Sequence, residues 1–253
     1  MPQFFLSPES IADKTFRLSG PEAFHIVKVL RCREGQALAL FDGQGRRFEG
    51  VIRKIHPDGS ISGELSGLRA QTRRMELNLY PGLLKTGGWH YLLEKGTEIG
   101  VTAFAPVISA RCVAQSPKPE RAAAKLERWR RIIMAAAKQC QRQDLPEMRP
   151  PVSLSEAFES CAGRGLSLLA WEEQGGLAAE SLPRAVKQAR DKNDGEIPPV
   201  NLFIGPEGGF CAQEAALARD RGVIVIGLGP RILRAETAAL AASALVLYEL
   251  VVL

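Results

Sequence analysis

A chain of 253 residues that is 45% hydrophobic and 24% charged is a globular protein of one large or two modest domains, not a disordered or fibrous one. Its formal net charge of +5 and sequence pI near 9.1 point to an anionic partner, of which nucleic acid is the commonest. The five cysteines, odd in number, lie far apart without any C-x-x-C pair, which signals neither a disulfide framework nor a zinc site and fits a reducing, cytoplasmic compartment.

The opening MPQFFLSPES lacks the basic and apolar regions of a secretory signal. Residues 1–68 alternate short β-type runs (Ala37–Phe41, Phe48–Ile55, Ser60–Leu65) with turn signals, and one helix is expected at Pro21–Leu30. Asp42-Gly43 and Asp58-Gly59 between apolar runs mark hairpins. This segment reads as a small β domain, barrel-like, with Arg31, Arg33, Arg46, Arg47, Arg53 and Lys54 on it. Basic loops on a small barrel are a common RNA-binding device, although a solvated charged face reads the same way.

The polar stretch 69–74 is the expected linker, and residues 75–253 form the second domain. There the grammar changes to strands and helices in alternation: Met75–Leu84 strand, Trp89–Ile99 helix, Val101–Ile108 strand, Glu120–Arg142 helix, Ser155–Ala162 helix, Leu166–Trp171 strand, Leu182–Arg190 helix. A loop at Asp191–Pro199 precedes two strand–loop–helix units. The pattern predicts an α/β domain with a mostly parallel sheet covered on both faces. Between Lys118 and Arg142 stand eight Lys or Arg against two Glu, a local excess larger than that of the whole chain. The last sixteen residues, Ala238 to Leu253, are almost wholly apolar. They fall short of the roughly 20 residues a membrane span needs, so a buried helix is expected and no membrane.

The two terminal units carry the densest signals. In the first, Val200–Ile204 runs into Gly205-Pro206-Glu207-Gly208-Gly209; in the second, Val223–Ile226 runs into Gly227-Leu228-Gly229-Pro230, followed by Arg231, Arg234 and Glu236 before an apolar helix. Glycine-rich loops at the carboxyl ends of sheet strands let backbone groups approach a ligand, although a bare strand-to-helix turn would also use these glycines. The phosphate-loop ending and the G-x-G-x-x-G spacing are both missing. Glu236 stands where a carboxylate favours a helix N-terminus. His25, His56 and His90 have no partner at metal-ligand spacing, so no metal is expected. Without a nucleophile elbow or metal set, what remains is group transfer from a bound small molecule.

The pair IGPEGGF at Ile204–Phe210 and LGPRILRAETA at Leu228–Ala238 resembles the bacterial 16S ribosomal RNA uridine-N3 methyltransferases of the SPOUT superfamily. The resemblance continues through Lys95-x-x-Glu98-Ile99-Gly100-Val101, Ser109–Cys112, Trp129, Gln139-Cys140-x-Arg142, Pro146-Glu147 and His25–Arg31. It implies a PUA-like β-barrel for RNA at residues 1–68, then a SPOUT α/β domain whose last part forms a trefoil knot. S-adenosylmethionine is the implied cofactor, with Leu169, Ala170, Trp171, Glu172, Gly205, Glu207, Gly208, Leu228, Gly229, Ile232, Leu233 and Thr237 around it. Arg234, or Arg231, is expected to stabilise the uridine imide anion, and Glu236 is a candidate base or cap.

Implied RNA contacts are Lys28, Arg31, Arg33, Lys85, Lys95, Arg111, Arg128, Arg131 and Arg142. The partners implied are 16S rRNA in the small ribosomal subunit and a second copy of the chain, a homodimer through the C-terminal helix. Departures from the family's pattern are Lys138, Cys211 and the uncharged Thr86–Gly88. The alternatives are a SPOUT methyltransferase with another RNA target and a non-catalytic rRNA-binding assembly factor.

Overall fold

The computed structural model describes residues 2–70, 75–113, 119–172, 181–193 and 198–251. They fall into two compact units: residues 1–74 with 134–145, and residues 75–133 with 146–253.

In the first unit the chain runs β1 (Gln3–Phe5), β2 (Ile11–Ala12), β3 (Thr15–Leu18), α1 (Gly20–Phe24), β4 (Ala37–Phe41), β5 (Arg46–Ile55) and β6 (Ile61–Ala70). Among the described residues these strands pair in the order β1-β4-β5-β6-β3-β2, and Phe4, Phe16, Leu40, Ile52 and Ile61 meet in one buried cluster. Both expected hairpins form. Asp42 closes the β4–β5 turn by accepting hydrogen bonds from the Gln44 and Arg46 amides, at 2.8 and 3.1 Å, as Asx turns do. β1, β2 and β3, of two to four residues, are too short to be expected from alternation. The helix expected at Pro21–Leu30 is α1 followed by a π-helical turn, His25–Val29. Of the expected linker, Arg69 and Ala70 end β6, and 71–74 lie outside the described residues.

The second unit contains β7 (Leu77–Pro81), α2 (Thr86–Ile99), β8 (Ala103–Phe104), β9 (Val107–Ile108), α3 (Pro119–Gln139), β10 (Glu147–Met148), β11 (Val152–Ser153), α4 (Leu154–Cys161), β12 (Leu166–Ala170), α5 (Leu182–Asp191), β13 (Val200–Ile204), α6 (Ala212–Asp220), β14 (Ile224–Ile226) and α7 (Ala235–Val251). The end of α3, from Met134, counts with the first unit. Six strands pair in the order β10-β8-β7-β13-β12-β14, every pair parallel. The single strand expected at Val101–Ile108 is split by Pro106, whose nitrogen cannot donate to a ladder; β8 stays in the large sheet while β9 pairs with β11.

All five residues of β13 are buried, as a strand covered on both faces requires. Leu168 and Leu202 face a core shared with α2, α3, α5 and α7, in which the Trp89 and Trp129 rings lie 4.9 Å apart. Leu169 and Phe203 face the opposite core, under α4 and α6. Among the described residues no helix is long and apolar enough to cross a membrane.

Candidate functional site

β12, β13 and β14 are neighbours in register, with Ala170 opposite both Ile204 and Ile226. The loops after them therefore leave the sheet at one level, and together they line one cleft. Ala170, Trp171 and Glu172 form one wall; Ile204 to Glu207 with Gly209 and Phe210 form the second; Leu228, Gly229, Arg231, Ile232, Leu233, Ala235 and Ala238 form the third.

The glycines in these loops answer a steric need. A Cβ on Gly205 would lie 2.9 Å from backbone atoms of Gly209, and Gly209 itself has φ +67° with Glu172 Oε1 2.6 Å from where its Cβ would stand. The loop after β13 is thus folded tightly on its own backbone and against Glu172, which side chains at these two positions would prevent. The lining is mostly apolar, with the carboxylates of Glu172 and Glu207 and the guanidinium of Arg231 as its charged groups.

Distant residues brace the walls. Trp171 Nε1 donates to the Phe210 carbonyl at 3.1 Å, and the Arg219 guanidinium lies 5.4 Å from the Trp171 ring centroid. Glu207 Oε1 accepts from the Lys85 amide at 3.0 Å, and Arg111 donates to the Gly208 carbonyl at 3.2 Å. At the start of α6 the Cys211 amide donates to Glu214 Oε2 and the Ala110 amide to Glu214 Oε1, each at 2.8 Å. The departure from a serine cap is thus made good by the glutamate three residues on.

Of the residues expected around the cofactor, Ala170, Trp171, Glu172, Gly205, Glu207, Leu228, Gly229, Ile232 and Leu233 line the cleft, as does Arg231. Ile232 is 77% exposed, an apolar side chain left uncovered at the mouth. The side chain of Leu169 lies beneath the cleft: strand alternation turns it into the core, where it is fully buried. Gly208 and Thr237 are not among the lining residues. Arg234 is exposed between the lining residues Leu233 and Ala235, and its carbonyl accepts the Ala238 amide at 2.8 Å as α7 begins. Glu236 also lies off the lining, its Oε2 3.5 Å from the Cβ position of Gly88 in α2. Ile204, Pro206, Gly209, Phe210, Ala235 and Ala238 line the cleft without having been singled out; all six lie inside the two quoted motifs, which was the signal available. Among the described residues no group of three His, Cys, Asp or Glu could hold a metal ion.

The basic residues divide. Lys28, Arg31 and Arg33 in the first unit are exposed, as are Lys85, Arg111, Arg128 and Arg131 in the second. Lys95 instead bridges Glu94 and Glu98, each at 2.9 Å, and hydrogen bonds to these carboxylates push its pKa up. Arg142 differs from these cations in being buried. Gln141 takes φ +59° after α3 ends, which turns Arg142 inward, where it is 4% exposed and pairs with Asp144 at 2.7 Å. Its carbonyl accepts from Gln3 Nε2 at 2.6 Å, so it holds the first unit together. The departure at Lys138 has a similar explanation: its ammonium pairs with Glu22.

A family described as RNA methyltransferase domain matches residues 71–247, and one described as RNA methyltransferase PUA domain matches residues 18–65. The ribosomal RNA small subunit methyltransferase E of Bacillus subtilis is 29% identical over 237 residues, 93% of this chain and 90% of that protein. The protein of the same name from Synechocystis is 31% identical over 239 residues, 92% and 73% of the two chains. The crystal structure of a ribosomal RNA small subunit methyltransferase E from Neisseria gonorrhoeae bound to S-adenosylmethionine matches with a TM-score of 0.81 and 29% identity, over 97% of this chain and 96% of that one.

Proposed function

The chain belongs to the RNA methyltransferase family, and from that premise we propose that it methylates N3 of a uridine in 16S ribosomal RNA, using S-adenosylmethionine. The observation that carries this reading is the cleft at the ends of β12, β13 and β14, with its closely folded glycine loop and its carboxylates. An adenosyl group fits the apolar walls, and Glu172 in the lining complements a ligand's positive charge. When bound, S-adenosylmethionine supplies an electrophilic sulfonium methyl group.

The chain's own part is orientation and charge. Uridine N3 is a poor nucleophile while protonated, and Arg234, exposed beside the cleft, is suited to stabilise negative charge on a uridine oxygen as the proton leaves. Arg231, inside the lining, is the second candidate. N3 lies on the pairing edge, so the base must be unpaired or turned out before it is presented; orientation then supplies much of the acceleration.

Residues 1–68 act in this reading as the RNA-binding module, with Lys28, Arg31 and Arg33 on phosphates, while Lys85, Arg111, Arg128 and Arg131 serve the same purpose in the methyltransferase domain. The outer side of α7 leaves Leu245 and Tyr248 exposed, at 49% and 61%, which supports a homodimer closed through that helix. β14 at one sheet edge leads into α7, which packs over β7 and β13 nearer the middle; this return supports the trefoil knot. The enzyme works in the cytoplasm, on the assembled small subunit.

Calorimetry with S-adenosylmethionine tests the reading together with single-turnover methylation by Arg234→Ala. The wild-type chain binds the cofactor, and Arg234→Ala binds it but loses turnover by about 10²–10³, the scale of one lost oxyanion donor. Absence of cofactor binding by the wild-type chain would instead leave an rRNA-binding assembly factor.

A further inference from the structure

Helix α2 starts badly by its own means. Its N-cap residue is Lys85, a donor with no acceptor to offer, no side chain caps it, and no acidic residue stands in its first turn. A fourteen-residue helix presents free amides and a partial positive charge at that end. Anions reach it from elsewhere. Glu207, in the loop after β13, accepts the Lys85 amide through Oε1 at 3.0 Å. Glu236, in the first turn of α7, brings Oε2 to 3.5 Å from where a Cβ of Gly88 would stand, an approach that bulkier residues at 88 would obstruct. The strand-to-helix connection before α2 is pressed on the same loop: the Gly82 amide donates to the Ile204 carbonyl at 2.8 Å, and a Cβ on Gly82 would lie 2.5 Å from Pro206 N.

One carboxylate therefore comes from each of two segments bordering the cleft, 204–210 and 228–236, and both converge on one helical turn. We infer that Glu207 and Glu236 are positioning residues: they pin the first turn of α2 to both segments and so fix the spacing of two cleft walls. In this assignment Glu236 acts through α2 on the cleft wall and not as the general base. This deepens the proposed methyl transfer and rests on it for its kinetic consequence, whereas the clamp itself is a property of the ligand-free chain.

The test uses full-length Glu207→Ala, Glu236→Ala, Glu207→Gln, Glu236→Gln and Gly82→Ala. Amide hydrogen exchange without ligand reads the clamp. Both alanine variants, and the wedge at Gly82, should speed exchange at Lys85–Gly88 and across 205–210. Calorimetry and kinetics read the consequence: Kd and KM for S-adenosylmethionine rise roughly two- to thirtyfold, matching the range of about 0.5–2 kcal/mol for lost helix caps. The pH profile of the Glu236 variants keeps its shape, and the glutamine variants, which retain an acceptor oxygen, recover most of the affinity.

Unchanged exchange at Lys85–Gly88 in both alanine variants overturns the clamp. Loss of 10²–10⁴ in kcat by Glu236→Gln at unaltered Kd, with one limb of the pH profile gone, makes Glu236 the base and overturns the assignment. If the wild-type chain bound no S-adenosylmethionine, the methyl-transfer reading would fail on that result, and the exchange data would still decide the clamp.

Discussion

Replacing Gly205 by alanine probes the cleft with a single methyl group. Its Cβ would stand 2.9 Å from the Cα and carbonyl carbon of Gly209 and 3.0 Å from the Phe210 nitrogen, all backbone atoms that cannot rotate aside. The loop has little room to yield. Gly209 is tied to Pro206 at 2.9 Å, Phe210 to the Trp171 indole, and Glu207 to Lys85. Overpacking of this kind costs about 1–3 kcal/mol. If the strain is met by opening the loop, the cleft loses its shape and S-adenosylmethionine binds about 5- to 150-fold more weakly. If the loop stays, the same cost appears in a urea midpoint. Calorimetry and denaturation on one preparation measure both. Gly205→Ala with wild-type affinity and a stability change under about 0.5 kcal/mol, the usual surface range, would refute the claim that backbone proximity builds this site.

Other consequences are open to similar checks. Asn201, buried in β13, accepts from Asn78 at 3.0 Å and donates to the Arg164 carbonyl at 3.0 Å; Asn201→Ala strands these partners and should cost about 1–3 kcal/mol in chemical denaturation. Burial, with a hydrogen bond to Cys161, pushes the Tyr80 hydroxyl up to about 12. The folded chain therefore keeps a proton that the unfolded chain loses near 10. The stability this gives is complete below about pH 10 and falls by up to about 1.4 kcal/mol per pH unit towards 12, so wild-type minus Tyr80→Phe urea midpoints should decline only in that window. Arg128→Ala and Arg131→Ala should each weaken rRNA binding and lower the salt slope by about 1. Arg142→Ala should instead destabilise the fold by up to about 3–5 kcal/mol, as breaking a buried ion pair does, with no change of slope in the folded fraction.

The two loops were legible because their signals are local: IGPEGGF and LGPRILRAETA supply most of the cleft lining in two short runs. The parallel sheet followed from strand and helix periods alone. What escaped depends on residues far apart in sequence. The Glu207 to Lys85 contact spans 122 positions, and the Trp171 indole finds the Phe210 carbonyl 39 positions away. Arg142 illustrates the limit of periodicity: a helical reading through residue 142 sets it among surface cations, but α3 ends at Gln139 and a left-handed Gln141 turns the arginine inward. Short strands such as β1 are fixed by pairing, here with β4, and not by their own composition. The same contacts alter an obvious experiment. Deleting residues 1–68 would remove Gln3 and Glu22, partners of residues 137, 138 and 142, so triple substitution of Lys28, Arg31 and Arg33 by alanine is the cleaner probe of RNA binding.

The central claim is most directly tested by incubating small ribosomal subunits, and naked 16S rRNA in parallel, with the chain and methyl-labelled S-adenosylmethionine, then identifying the labelled nucleoside by mass spectrometry. The account predicts label in N3-methyluridine, at one position, with the assembled subunit as the better substrate. Label in any other nucleoside, or none while the cofactor binds, would contradict it.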